Sequence, residues 1–343
     1  MQKSTNSKDH VVRRGFLIVQ NNKNKKPYLY RYFKYTQERI IIMATHNETR
    51  HRGQVWKEPI VKKDEDGNYL YAMCYVQVVR GARSIDDGKE FLKADVVLVM
   101  TKEKHLCAEI ETWTLCDIVD IKGNLTTRNI DKPSYCPFCK ENGIISRKIV
   151  HGTTSYINPI FAEKIASFDK RKDADEYLMK HKEISNLITF LGNVTREPKK
   201  IKTKKGVIVT QYQIAANRKF RIRTDAPENK TDFPWVKSYG NKAIEDRERL
   251  YTGSLVMIDG VIQSRTVYRK TVCDTCGKEY PWNDRTMEIV PYATEYLKDF
   301  RTDEDIAQMK NEKLKNALDS IYRTENQKFD VVPEDEMSKE DNE

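Results

Sequence analysis

The chain has 343 residues, with 61 Lys and Arg against 51 Asp and Glu, for a net charge of +10. Apolar residues make up 38% and charged residues 33%, and the longest apolar runs, such as Val96 to Met100, are far too short to cross a bilayer as helices. This excludes a helical membrane protein and favours an anionic partner.

Residues 1–45 read as a basic arm, with ten Lys and Arg against Asp9 and Glu38, or +8. The arm has no apolar core of the kind a secretory signal needs, so a cytoplasmic protein in a reducing compartment is expected. Within it, KKPYLYRYFKY places Tyr28, Tyr30 and Tyr32 at alternating positions beside Arg31 and Lys34. In an extended strand these rings share a face, suited either to stacking on bases or to packing against the next domain.

From residue 46 the chain repeats itself. GQVWKEP, Gly53 to Pro59, returns as GNVTREP, Gly192 to Pro198, and VDIKGNLTTR returns as VMIDGVIQSR, each time a short way before a C-x-x-C pair. Offsets of 137 to 139 relate the two copies, so one duplicated unit explains both matches. The first copy spans residues 46–158. Residues 159–183 carry Phe161, Ile165, Phe168, Tyr177 and Leu178 at helical spacing, which predicts a helical linker from about Ile160 to His181.

The second copy, residues 184–298, has the clearer pattern. Leu187–Val194, Gly206–Ala216 and Phe233–Tyr239 are predicted strands, Asn241–Leu250 a helix, and Ser254–Gln263 and about Thr286–Tyr292 two more strands. That order is the order of an OB barrel. The expected fold class is therefore mainly β: two tandem OB-fold barrels with C-x-x-C insertions, a helical linker and a C-terminal helix over residues 299–325. Thr302 and Asp305 form a capping box, and the stripe Ile306, Met309, Leu314, Leu318 and Ile321 is expected to pack on the barrels, the alternative being an outside partner. Residues 326–343 read as a disordered acidic tail; the last fifteen residues carry −6, leaving +16 on the rest of the chain.

The segments LITFLGNVTREP, VTQYQIAANRKF and DFPWVKSYGNKAIEDRERLYTGSLVMIDGVIQSR closely resemble the bacterial and phage single-stranded DNA-binding protein family, in the family's order, over about Ile184 to Arg265. The first copy resembles it more weakly, over about Asn47 to Arg128. The resemblance implies an OB fold, no catalysis, and single strands laid over aromatic side chains in a basic groove during replication or recombination. It places base-stacking aromatics at Phe220, Phe233 and Tyr239, with Arg265 and Tyr268 near another such position.

The residues themselves agree. Unspecific binding of single strands needs π-faces and cations along one path. In a strand, Phe233, Trp235, Lys237 and Tyr239 share a face, and Phe220 lies among Arg218, Lys219, Arg221 and Arg223. The competing readings are that Phe233 and Trp235 are core residues and that the basic hairpin is merely solvated. In the first copy, Phe220, Phe233, Trp235 and Tyr239 correspond to Arg83, Val96, Leu98 and Lys102, none of them aromatic. That copy is expected to be partly structural, with Trp56, Tyr71, Tyr75, Arg80 and Arg83 as its candidates for contact with DNA.

Of seven cysteines, Cys136 and Cys139 form one C-x-x-C pair and Cys273 and Cys276 the other. Two such pairs make one tetrahedral structural Zn²⁺ site. Each pair sits in the loop between the fourth and fifth strands of its repeat. Packing about a pseudo-twofold axis could bring the loops together around one shared Zn²⁺, clamping the repeats. The alternatives are two separate sites with ligands such as Cys116 or His151, sites shared with another subunit, or unmetallated or redox-active pairs. Cys74, Cys107 and Cys116 read as buried apolar residues.

No G-x-x-x-x-G-K-[ST], H-E-x-x-H or G-x-S-x-G motif is present. The expectation is a non-enzymatic binder of single-stranded DNA, with replication proteins as further partners of the acidic tail and oligomerisation left open. The tail ends KEDNE, without the apolar tip that the family usually carries. The rivals are a zinc-ribbon OB-fold replication accessory factor, of primase or helicase-loading type, and an RNA-binding OB protein.

Overall fold

The computed structural model describes residues 46–80, 93–203, 206–218 and 230–328. The basic arm, the acidic tail and the segments carrying Arg83, Lys219, Phe220, Arg221 and Arg223 lie outside the described residues.

Five strands build the first repeat: β1 (His46–Lys63), β2 (Tyr69–Arg80), β3 (Lys93–Thr101), β4 (Ile118–Tyr135) and β5 (Arg147–Ala166), with helix α1 (Lys104–Glu111) between β3 and β4 and a short α2 (Pro137–Glu141) at the tip of the β4–β5 hairpin. The ladder runs β2-β3-β5-β4-β1 and closes through β1–β2, with β3 and β5 parallel. This is a closed five-stranded barrel with OB connectivity. Alternation explains it: in β3 the residues Val97 and Val99 point inward at 0% exposure, while Val96 and Leu98 face outward half-buried.

A linker of α3 (Arg171–Lys180) and α4 (Lys182–Ser185) follows. The helical spacing predicted from Ile160 is not helical there: β5 continues to Ala166, because its ladder partner β4 runs on beside it, Ile118 pairing with Ala166. Helix begins at Arg171, and Ala174 and Leu178 pack on Val79, Cys116 and Ile118.

The second repeat is β6 (Asn186–Val194), β7 (Lys199–Lys202), β8 (Ile208–Asn217), β9 (Thr231–Asp232), β10 (Trp235–Tyr239), helix α5 (Gly240–Arg249), β11 (Leu255–Val272) and β12 (Glu279–Lys298). Here β6-β11-β12-β10-β8 closes through β6–β8, with β10 and β12 parallel. The predicted strands lie where expected, but the last two are far longer. What read as a C-x-x-C insertion is a continuous hairpin, from Leu255 opposite Lys298 to Val272 opposite Glu279.

The barrels join edge to edge through β1 and β6, antiparallel, from His46 opposite Leu191 to His51 opposite Asn186. Thr49 pairs with Ile188, its own equivalent in the repeat, so the pseudo-twofold axis passes between these two residues. Symmetry-related details recur around it. Asn47 is bonded through both amide atoms to the Leu125 backbone (2.8 and 2.9 Å), and Asn186 makes the same pair with Ile262 (2.8 and 3.0 Å). Gly123 and Gly260 are needed for close approach, since a Cβ at either would lie 2.3 Å from a carbonyl oxygen, of Asn158 or Val290.

The C-terminal helix α6 (Asp303–Lys328) starts at the expected capping box: Asp305 Oδ2 accepts the Thr302 N–H at 2.8 Å, and Thr302 Oγ1 accepts the Asp305 N–H at 3.3 Å. Its first turns are held to α5 by Arg249–Asp303 (2.7 Å) and Lys310–Glu248 (3.1 Å). The apolar stripe does not pack on the barrels as expected. Leu314 and Ile321 are 62% and 53% exposed, and the residues of the helix that line a surface with α5 are in its first turns, Asp303, Ile306, Ala307 and Lys310.

Candidate nucleic-acid interface and thiolate cluster

The two long hairpins, β4–β5 and β11–β12, act as crossed arms, each reaching onto the other repeat. On the second barrel, Thr127 of the first arm donates its N–H to Asp232 Oδ1 (2.8 Å), and its hydroxyl accepts the N–H of Phe233 (2.8 Å). On the first barrel, Ser264 of the second arm donates its N–H to Asp95 Oδ1 (2.9 Å), and its hydroxyl accepts the N–H of Val96 (3.1 Å). An arginine backs each carboxylate: Arg218 Nε and Nη2 lie 2.5 and 3.1 Å from Asp232, and Arg80 Nε lies 2.9 Å from Asp95. Burial raises the pKa of both acids, against the pull of their arginines. Arg80 and Arg218, expected to contact DNA, are thus directed into the protein, where they hold the arms.

Where the first arm crosses the second barrel it walls a groove of about 990 Å³. Phe233 and Trp235 line it together with Arg128 of the first arm, Arg196, and Arg265 and Arg269 of the second arm. Phe233 is 45% exposed, and Trp235 is half-buried with the Arg196 guanidinium 5.6 Å from its ring centre. Val236, the residue after Trp235, points the other way at 0% exposure and supplies the core contact, so the two rings face outward. The arrangement sets π-faces and cations along one path, as single-strand binding uses, with Arg265 and Arg269 also paired to the groove carboxylates Glu288 (3.6 Å) and Asp284 (3.2 Å).

Other expected residues are placed differently. Lys237 is on the predicted face but only 5% exposed, its Nζ 3.1 Å from Glu288 Oε1, and burial lowers its pKa despite that carboxylate. Its charge is satisfied within the protein. Tyr239 is exposed at the end of β10, and Tyr268 is 75% exposed on the second arm, where it does not line the groove. Trp56 is covered by Arg171 of the linker, whose guanidinium sits 3.8 Å from the ring centre. Arg128, Arg196 and Arg269 were not singled out as binding residues. Arg128 and Arg196 lie in the repeated blocks VDIKGNLTTR and GNVTREP, so the repeat was the signal that could have found them.

Beyond the groove the arms interlock. Asp284, 1% exposed, receives Lys132 from the first arm and Arg269 (3.2 Å) from its own. At the tips the four cysteines converge: Cys136 Sγ lies 3.7 Å from Cys276 Sγ, Cys139 Sγ lies 3.6 Å from Cys273 Sγ, and all four are within 4.8 Å of one another. A tetrahedron of thiolates about 2.3 Å from one ion has edges of about 3.8 Å, so the group could hold a single metal ion. Ser146 Oγ lies 3.2 Å from Cys273 Sγ and lowers the pKa of that thiol, while burial raises those of Cys136 and Cys139. His151 pairs instead with Asp131, and Cys116 packs near the linker, so neither joins the cluster. Cys74 and Cys107 are buried in the core of the first barrel, as expected, and burial pushes the Cys74 thiol up to about 12.

Fold and groove together define a tandem OB-fold protein with an aromatic, cationic surface. Residues 185–275 match the single-strand binding protein family, which bears out over the second repeat the resemblance read from the sequence. Single-stranded DNA-binding protein 2 of Chlorobaculum tepidum is 32% identical over 82 residues, covering 24% of this chain and 55% of that protein. The chain therefore spans about half the length of the curated relative that it matches. Among solved structures, the single-stranded DNA-binding protein of Thermus aquaticus aligns with 76% of this chain and 96% of its own, at 13% identity and a TM-score of 0.47. A deletion mutant of it aligns with 75% and 97%, at 15% identity and 0.46. No helix among the described residues is long and apolar enough to cross a membrane.

Proposed function

We propose that this protein binds single-stranded DNA without catalysis, protecting or organising it during replication or recombination. The observation that carries the reading is the groove itself: Phe233 and Trp235 lie open among Arg128, Arg196, Arg265 and Arg269, in the repeat that matches the family. Bases stack on the rings at about 1–3 kcal/mol each, and the arginines follow the phosphates. Lys219, Phe220 and Arg221 are part of the same proposal from the sequence. The reading implies a cytoplasmic setting, where thiols stay reduced.

The metal belongs to this proposal. One Zn²⁺ held by Cys136, Cys139, Cys273 and Cys276 would fasten the arm tips, and because the first arm walls the groove, the clamp would keep the groove formed. Bound by these four cysteines, zinc would supply structure.

Titration with oligo-dT, oligo-U and duplex DNA at two salt concentrations tests the function. Preference for dT over duplex with a steep salt slope is expected. Equal affinity for U favours an RNA-binding OB protein, and no binding favours an accessory factor that docks proteins.

A further inference from the structure

The pseudo-twofold axis generates a second surface on the first barrel, equivalent to the groove on the second. There Phe233 and Trp235 are replaced by Val96 and Leu98, which removes the aromatic strand. The ladder shows where a ring reappears. Trp235 on β10 pairs with Gln213 on β8, and the equivalent pair on the first barrel is Leu98 on β3 with Tyr75 on β2. The aromatic has moved one strand across while keeping its rung and its face.

One of its cations has kept station with it. Arg196, 5.6 Å from the Trp235 ring centre, has Lys57 as its repeat equivalent, and Lys57 Nζ lies 5.4 Å from the Tyr75 ring centre. The arm crossing this barrel adds a second cation. Arg285, opposite Thr266 on the second arm, is 5.8 Å from the Tyr75 ring, and it occupies the position that Thr153, opposite Asn129, holds on the first arm. Tyr75 is half-buried, with Lys57 and Arg285 exposed. An aromatic between two cations that no carboxylate satisfies among their described ion pairs is the local chemistry of a base-stacking step.

We propose that Tyr75, Lys57 and Arg285 form a second single-strand site on the first barrel, composite between the two repeats and weaker than the groove at Trp235 because it has one ring instead of two. This rests on the proposed single-stranded DNA binding. A strand long enough to leave the first groove would continue onto it, whereas a short strand would fill the Trp235 groove alone.

Oligo-dT of about 10 and about 30 nucleotides distinguishes the two sites, since one OB barrel covers roughly 4–16 nucleotides. Tyr75→Ala should leave the short oligonucleotide bound as in the wild type and weaken the long one about tenfold, the loss of one stacked base. Tyr75→Phe, which keeps the ring, should bind both normally, and Lys57→Ala with Arg285→Ala should reduce the salt slope for the long oligonucleotide alone. Wild-type affinity for the long strand in Tyr75→Ala, or equal weakening of both lengths, overturns the second site and leaves the Trp235 groove standing. A wild-type protein that binds neither length overturns both proposals.

Discussion

Asp232 accepts the backbone N–H of Thr127 across the boundary between the repeats, at 2.8 Å, and Asp95 accepts that of Ser264 at 2.9 Å on the other side of the pseudo-twofold axis. Two acids 137 positions apart thus perform one task twice: each pins the arm of the opposite repeat, and each is charge-balanced by an arginine at the end of the second strand of its own barrel.

Removing one of these acids takes a buried carboxylate away from its arginine. Arg218 and Asp232 have side chains 2% and 0% exposed, and breaking a buried pair by deleting one partner costs about 3–5 kcal/mol. Asp232→Ala should lower stability in urea by that amount, while Asp232→Leu with Arg218→Met together should cost less than the single change. A single-variant loss below about 1 kcal/mol would contradict the interlock.

The thiolate cluster makes a stoichiometric prediction. Purified protein should hold one Zn²⁺ per chain, and Cys136→Ser or Cys273→Ser should each remove it, with a fall in Tm. Two zinc ions per chain, or retention after one change, would exclude a shared clamp.

His51 lies at the seam of the barrels, opposite Asn186, only 2% exposed. Burial lowers its pKa to about 4 from 6.5, outweighing a backbone contact from Ser185. The folded state therefore keeps this ring neutral where the unfolded chain protonates it. Stability should be level above about pH 6.5 and fall as pH drops from 6.5 through 4, by roughly 3 kcal/mol from this group. His51→Gln should lose that part of the pH dependence. Unfolding curves with the same slope for both proteins over pH 4 to 6.5 would refute the assignment.

Helix α6 keeps its apolar stripe exposed, so its substitution should be nearly silent for stability. Leu314→Glu and Leu318→Glu should each change the unfolding free energy by no more than about 0.5 kcal/mol. A larger loss would mean that the stripe is covered in solution.

Much of this was legible in the chain. The duplicated blocks around Gly53 and Gly192 gave two barrels, and the equivalent spacing of Cys136/Cys139 and Cys273/Cys276 brought the pairs together about an axis. Alternation identified the face carrying Phe233 and Trp235. It could not say what stands opposite that face: Lys237 is consumed by Glu288 on β12, and Arg218 by Asp232, and both partnerships are set by tertiary pairing. The arms beyond Gln263 were hidden for another reason. A hairpin such as KTVCDTCGKEYPWND has no barrel core to face and shows no clean alternation, so it read as an insertion. At Ile160–Ala166 the apolar spacing fitted a helix, and the neighbouring strand β4 decided otherwise.

The central claim, that the open rings of the second barrel bind single strands, is tested most directly by oligo-dT affinity in Phe233→Ala, Trp235→Ala at low and moderate salt. A loss of at least about tenfold per ring, with the salt slope unchanged because the arginines remain, is the result this account predicts. Unchanged affinity for dT in the double variant, with its fold intact, would contradict it.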